Sequence, residues 1–121
     1  MKKLLFLLPV LLFFTSSGLL ANKTSVEVKA PSEIKKGTEV TLVVNVSHKG
    51  NSKAHFTDWV VLKVNGKEVK RWQYDKTNLP PGNEFVLEYK FVATEDLTVE
   101  AQGHCNLHGS AGSKNITIKA L

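Results

Sequence analysis

Polar and apolar residues alternate along most of this chain, and alternation with a period of two is typical of half-buried β-strands. Two clear examples are residues 25–29 (SVEVK) and 84–92 (EFVLEYKFV). No long stretch keeps a helical period. Taken together, the predicted strands are residues 25–29, 38–46, 56–64, 68–74, 84–92, 97–101 and 115–119. The pattern predicts an all-β fold, an Ig-like β-sandwich of about seven antiparallel strands.

The dipeptide Asn65-Gly66 separates two of these strands. Both residue types tolerate positive φ, so the pair predicts a tight β-hairpin. Trp59 and Trp72 lie in the strands on either side of it, and we expect both to fill the core between the sheets.

The first residues have the pattern of an export signal. Lys2 and Lys3 precede an apolar run over residues 4–14, and small polar residues then lead to Ala21. This order predicts a signal peptide at residues 1–21 and a mature domain at residues 22–121, secreted or periplasmic. The apolar run is too short to span a bilayer, so we expect no membrane association after cleavage.

Charge excludes some functions. Without Lys2 and Lys3, the predicted mature domain has 14 basic and 11 acidic residues, a mild excess that is spread along the chain. It has no basic stripe interleaved with aromatic residues, so nucleic-acid binding is not expected. Hydrolase signatures such as Gly-x-Ser-x-Gly are also absent from the sequence. A small anionic substrate is weakly favoured.

The only cysteine of the chain, Cys105, stands in the sequence Cys105-Asn106-Leu107-His108. An exported protein with one cysteine cannot close an internal disulfide, so Cys105 is expected to be buried and inert, bridged to another molecule, or bound. A metal ion would occupy and protect the thiolate. His48 and His55 bracket the segment between two predicted strands and could complete the set. One cysteine and three histidines suit iron, copper or zinc. His104 adjoins Cys105 in a strand and would point to the opposite face, so it is not expected to be a ligand.

The motif Cys-Asn-Leu-His-Gly at residues 105–109 resembles the signature of the superoxide reductases, the desulfoferrodoxin and neelaredoxin family. The Ala-Pro and Lys-Lys-Gly positions of residues 30–37 and the tryptophan four residues after His55 are similar to that family as well. The resemblance implies an Ig-like sandwich with a mononuclear non-haem iron, held by an axial cysteine and equatorial histidines. It implies the metal ligands His48, His55, Cys105 and His108. The expected function is reduction of superoxide to hydrogen peroxide, with the electron supplied by a separate donor protein.

The chain also departs from that family. The first histidine ligand of the family falls near Thr24, and the lysine before it, which assists catalysis, corresponds to Lys23. The loop from His48 to His55 is one residue longer than usual and lacks the Pro-Asn that normally follows its first histidine. Lys49 and Lys53 could also attract an anion, although plain solvent exposure is the favoured explanation for both.

Two other functions fit the same residues. A cupredoxin-like copper electron carrier would use one upstream histidine with Cys105 and His108, although the mature chain has no methionine for the usual weak axial ligand. A non-catalytic domain could instead hold structural zinc with one cysteine and three histidines.

Overall fold

The computed structural model describes residues 23–121, so the predicted signal peptide lies outside the described residues. It contains eight β-strands. They are β1 (Ser25–Lys29), β2 (Glu33–Ile34), β3 (Thr38–Ser47), β4 (Thr57–Val64), β5 (Lys67–Gln73), β6 (Glu84–Ala93), β7 (Leu97–Cys105) and β8 (Ser113–Ala120). Residues 23–121 contain no helix long and apolar enough to cross a membrane.

The strands form two sheets packed face to face. One has three strands in the order β1-β3-β6, and the other has five in the order β2-β8-β7-β4-β5. The predicted all-β sandwich is therefore confirmed. The eighth strand is the two-residue β2, which pairs with β8 in parallel and is too short to show alternation.

Alternation decides which residues enter the core. Along β3 the inward residues are buried valines and a leucine, whereas their neighbours are only half-buried. The predicted hairpin between β4 and β5 is present, with positive φ at both Asn65 and Gly66. Each sheet thus buries one face, as expected for a sandwich.

An irregularity in β4 overturns one expectation. Thr57 pairs with Cys105 and Trp59 with His104, so Asp58 is an extra residue, as in a β-bulge. The extra residue changes which side chains of β4 face the core. Thr57 is fully buried, whereas Trp59 is half-exposed and is not among the side chains that pack in the core. Trp59 is therefore not a core filler, whereas Trp72 does pack against the core.

One end of the sandwich gathers the chemically interesting residues. β3 runs into His48, β4 begins just after His55, and β7 ends at Cys105. The backbone N–H of His48 donates to the carbonyl of Asn83, just before β6, at 2.7 Å. Both segments predicted to carry metal ligands lie at this end because strand order brings them there.

Candidate metal centre

Four predicted ligands converge at this end. The ligand atoms of His48, His55 and Cys105 all lie within 4.8 Å of one another. The Nδ1 atom of His108 lies 2.9 Å from Nε2 of His55 and 3.9 Å from Sγ of Cys105. The structure thus brings the four residues to one end of the sandwich, and His48, His55 and Cys105 form the group that could share an ion.

The spacing of these atoms fits a shared ion. A metal ion bonds to histidine nitrogen at about 2.0–2.1 Å. When the angles between ligands lie between those of square-planar and tetrahedral geometry, two neighbouring nitrogens are about 2.9–3.4 Å apart. Nε2 of His55 is 3.2 Å from Nε2 of His48 and 2.9 Å from Nδ1 of His108. One ring nitrogen has either one proton or one lone pair, so His55 Nε2 cannot make a full hydrogen bond with both neighbours. A cation held by His48, His55 and Cys105, whose ligand atoms lie within 4.8 Å of one another, would take up the lone pairs of both loop histidines.

The tautomer of His48 is set by Asn51. The Asn51 side chain accepts from the backbone N–H of Thr57 at 3.0 Å through Oδ1 and donates to the carbonyl of Gly82 at 2.5 Å through Nδ2. The backbone N–H of Thr57 can only donate and the carbonyl of Gly82 can only accept. Together they fix the orientation of the Asn51 amide. Oδ1 also lies 2.6 Å from Nδ1 of His48, which must therefore be the protonated ring nitrogen. The Nε2 lone pair of His48 is left facing the cluster, as metal binding requires.

Sequence reasoning missed Asn51. The available signal was its place within the segment between the two loop histidines, three residues after His48. An asparagine in a loop is common, however, and only the fold shows that it contacts Thr57 and Gly82.

Cys105 and His108 lie on a turn closed by its own backbone. The N–H of Cys105 donates to the carbonyl of Gly109 at 2.8 Å, and the N–H of Gly109 donates back at 2.9 Å. Gly109 has a φ of 76°, a conformation that glycine adopts without strain. This closure returns the chain after three residues and places His108 beside the thiol.

Asn106 joins this turn to the histidine loop. Its Oδ1 accepts from the N–H of Phe56 at 2.9 Å, and its Nδ2 donates to the carbonyl of Ala54 at 3.2 Å. The backbone N–H of Asn106 also donates to the carbonyl of Phe56 at 3.0 Å. Because His55 lies between these two partners, Asn106 holds it against the turn.

Thr24 lies next to the same turn. Its carbonyl accepts from the N–H of Ala111 at 2.9 Å, and its buried hydroxyl lies 2.9 Å from that of Thr57. A Cβ added at Gly103 would be only 2.5 Å from Cγ2 of Thr24, so the threonine packs directly on the inner face of β7. Thr24 thus fills interior space beside the cluster with a bonded hydroxyl pair.

Exposure changes steadily across the cluster. Cys105 and His48 are buried, His55 is half-buried and His108 is exposed. The centre is therefore open on the side of His108. Lys23 directly precedes Thr24 and lies beside the turn that carries His108, while Lys49 and Lys53 are exposed on the histidine loop.

His104 lies on the outer face, away from the ligands. Its Nδ1 is 2.7 Å from Oδ1 of Asp58, and its ring stacks on Trp59 with centroids 4.9 Å apart and an interplanar angle of 5°. Arg71 lies over the same tryptophan, 5.3 Å from the ring centroid. The strand period separates His104 from Cys105, as expected from the sequence.

Solved structures with the same fold include several superoxide reductases. The superoxide reductase (neelaredoxin) of Ignicoccus hospitalis is 21% identical, with a TM-score of 0.67 over 82% of this chain and 83% of that one. A superoxide reductase crystallised in the oxidised state is 16% identical, with a TM-score of 0.60 over 81% and 90% of the two chains. The CARDB domain of a Pyrococcus furiosus protein, solved with di-metal ions, is 17% identical, with a TM-score of 0.58 over 83% and 94%. No curated protein matches the chain.

The sequence itself matches a family profile. Residues 20–111 match the desulfoferrodoxin profile, which includes the histidine loop, the cysteine turn and most of both sheets. That match covers well over half of the chain. The chain therefore belongs to the desulfoferrodoxin family.

Proposed function

We propose that this protein binds one non-haem iron ion through His48, His55, Cys105 and His108 and reduces superoxide to hydrogen peroxide. The observation that carries the proposal is the meeting of three ring nitrogens and one thiol at one end of the sandwich. Family membership and the superoxide reductase fold support iron as the ion.

The metal and the residues around it would have separate roles in this reaction. When bound, iron with histidine and thiolate ligands supplies one-electron chemistry tuned by the surrounding protein. Superoxide gains one electron and two protons and leaves as hydrogen peroxide. Cys105 supplies its sulfur from the buried side of the cluster, so the anion approaches from the exposed side of His108. A separate protein supplies the next electron, since one cysteine provides no second thiolate-bound redox centre.

Local charge favours the anion. Lys49 and Lys53 lie in the histidine loop, and neither that loop nor the segment of residues 103–112 contains an aspartate or glutamate. Lys23 adds a third positive charge beside the turn, and we propose that it assists catalysis. A surface that is positive around an open site raises the encounter rate of a small anion, with a strong dependence on salt.

We also propose that the protein acts outside the cytoplasm, after removal of residues 1–21. The basic start, the apolar run and the small residues that lead to Ala21 support export. N-terminal sequencing of protein isolated from the periplasm or the medium tests this: a start at Asn22 supports it, and an intact Met1 or a cytoplasmic location contradicts it.

The deciding experiment measures metal content and visible spectrum of the purified protein, before and after oxidation. We expect about one iron per chain and a thiolate-to-iron absorption band that superoxide induces and a reductant bleaches. His108→Gln should weaken iron binding, and Cys105→Ser should remove the band. The matched control is His104→Gln, which changes a neighbouring histidine outside the cluster and should leave the band in place.

Other outcomes would identify a different function. Copper with an intense blue band would show an electron carrier. Colourless protein with bound zinc would indicate a structural site, because three nitrogens and one sulfur make up the four ligands of tetrahedral zinc. Bound iron that superoxide does not oxidise would support the metal site but refute the reductase activity.

A further substitution tests the ligand lost from this chain. Thr24→His should place a fourth imidazole beside the turn and raise the affinity for iron, measured by competition with a chelator. Thr24→Val is the matched control, since it keeps the shape of threonine but removes the hydroxyl bonded to Thr57. Equal iron affinity in Thr24→His and Thr24→Val would refute the correspondence of Thr24 with the first histidine of the family.

A further inference from the structure

Two buried hydroxyl groups beside the metal centre have one proton that is not used. Thr24 and Thr57 are both fully buried, and their hydroxyl oxygens lie 2.9 Å apart. One hydroxyl donates to the other, and neither has a second partner among the side-chain hydrogen bonds of residues 23–121. The accepting hydroxyl therefore still has its own proton to donate. Buried donors in native proteins nearly always have an acceptor, so the pair is suited to one further hydrogen bond.

The pair lies on the same face of the sheet as the side chain of Cys105. Thr57 is directly opposite Cys105 in the ladder of β4 and β7, and directly opposed side chains share a face. Thr24 packs on Gly103, which precedes Cys105 by two residues and therefore faces the same side. Both hydroxyls thus border the sulfur on its buried side, next to the ligand cluster.

The sulfur itself is not the acceptor. In the described part of the chain, the hydrogen-bond partners of Sγ of Cys105 are Oδ1 of Asn106 and Nδ1 of His108, each at 3.9 Å. The unused proton of the pair therefore needs an acceptor that none of these protein atoms provides. An ion held by His48, His55 and Cys105 can bring such an acceptor, because an oxygen bound to the ion beside the sulfur would face the pair.

We propose that the Thr24–Thr57 pair is a binding site for a water molecule that completes the coordination of the metal. The water binds the ion with one lone pair and accepts the unused proton of the pair with the other. Reactive metal sites often combine protein ligands with one water. At Thr24 the family resemblance implies a histidine, so a small oxygen ligand takes the place of an imidazole. The inference rests on the proposed metal centre but not on iron or on the reduction of superoxide.

The first test replaces the natural ion by cobalt(II), whose visible bands report the number of ligands. Four-coordinate cobalt absorbs more strongly than five- or six-coordinate cobalt. Thr24→Val/Thr57→Val keeps the shape of both side chains but removes both hydroxyls, so the bands should gain intensity as the water is lost. Thr24→Ser/Thr57→Ser is the matched control, because it keeps both hydroxyls and should retain the wild-type spectrum. Circular dichroism checks the fold of both variants, and the single variant Thr57→Val serves if the valine pair fails to fold.

The second test detects the oxygen directly. Water enriched in ¹⁷O should broaden the electron paramagnetic resonance signal of the cobalt-loaded protein. The broadening should be smaller in Thr24→Val/Thr57→Val than in the wild type or in the serine variant. Cobalt affinity of the valine variant, measured by competition with a chelator, should fall by roughly tenfold.

The outcomes separate this inference from the proposed function. Equal cobalt spectra of the wild type and the valine variant would overturn the inference, because the pair would then serve packing alone. It would also be overturned if the serine variant changed as the valine variant does. The expected cobalt result, together with iron-loaded protein that does not reduce superoxide, would refute the proposed function and support the inference. Protein that binds neither ion would refute both.

Discussion

The two segments that carry the ligands are built differently. The loop from His48 to His55 has backbone bonds between Ser52 and His55, but the position of His48 depends on one side chain. Asn51 contacts Thr57, Gly82 and His48 at once. The turn from Cys105 to Gly109 is closed by two backbone hydrogen bonds of its own. The loop should therefore be sensitive to a side-chain deletion that the turn would tolerate, and substitutions can test that difference.

The largest expected effect is that of Asn51→Ala. It leaves the backbone N–H of Thr57 without its acceptor and removes the partner that fixes the tautomer of His48. We expect a loss of about 2–3 kcal/mol in the free energy of unfolding of the metal-free protein. Metal affinity should fall by roughly 10–100-fold. Denaturant titration and chelator competition measure the two quantities.

The control for that prediction is Asn51→Asp. A carboxylate keeps both acceptor contacts but replaces the donor to Gly82 by an oxygen that the carbonyl repels. Stability should therefore fall, whereas most of the metal affinity should remain. Equal losses in Asn51→Ala and Asn51→Asp would contradict a role for the amide oxygen.

A smaller effect is expected for Asn106→Ala on the turn. The substitution removes the side-chain bonds to Phe56 and Ala54, but the backbone bond to Phe56 and the closure by Gly109 remain. The expected cost is about 1–2 kcal/mol in unfolding, with a smaller drop in metal affinity than for Asn51→Ala. The reverse order of affinities would refute the contrast between the two segments.

Gly109→Ala tests the backbone alone. A Cβ at this position would meet no atom closer than 4.0 Å, so the cost comes from the positive φ. About 1–2 kcal/mol is expected from thermal or chemical unfolding. Gly109→Asn should lose less, since asparagine tolerates this conformation better. Equal costs would show that side-chain crowding, not backbone conformation, limits the position.

The smallest effect is expected for a substitution of Asp75, which lies in a turn without any proposed metal ligand. This substitution serves as a reference. The exposed Asp75 carboxylate accepts hydrogen bonds from Thr77 and from the N–H of Asn78, and these lower the pKa of Asp75. A lowered pKa in the folded state stabilises the protein above the ordinary pKa of aspartate, and that contribution is lost as pH falls through the folded value. Asp75→Asn should remove this small acid dependence without changing metal affinity. A change in metal affinity would mean that the turn of Asp75 is coupled to the centre.

Local patterns predicted much of the fold. Alternation predicted seven of the eight strands, and Asn65-Gly66 predicted a hairpin that has the required positive φ. Cys105 and His108 were predicted as ligands from one short motif, and they lie on one turn closed by its own backbone. Trp59 was placed wrongly because the extra residue Asp58 changes the faces of β4, and a bulge leaves no mark in a period-two pattern.

The sequence by itself determined seven of the eight strands and the cysteine turn, because each depends on neighbours along the chain. Only the tertiary structure decided that His48 and His55 meet Cys105, since their contact spans two sheets and about fifty residues of chain. The role of Asn51 was decided there as well. Its hydrogen bond to a distant backbone group depends on strand order, which alternation does not encode.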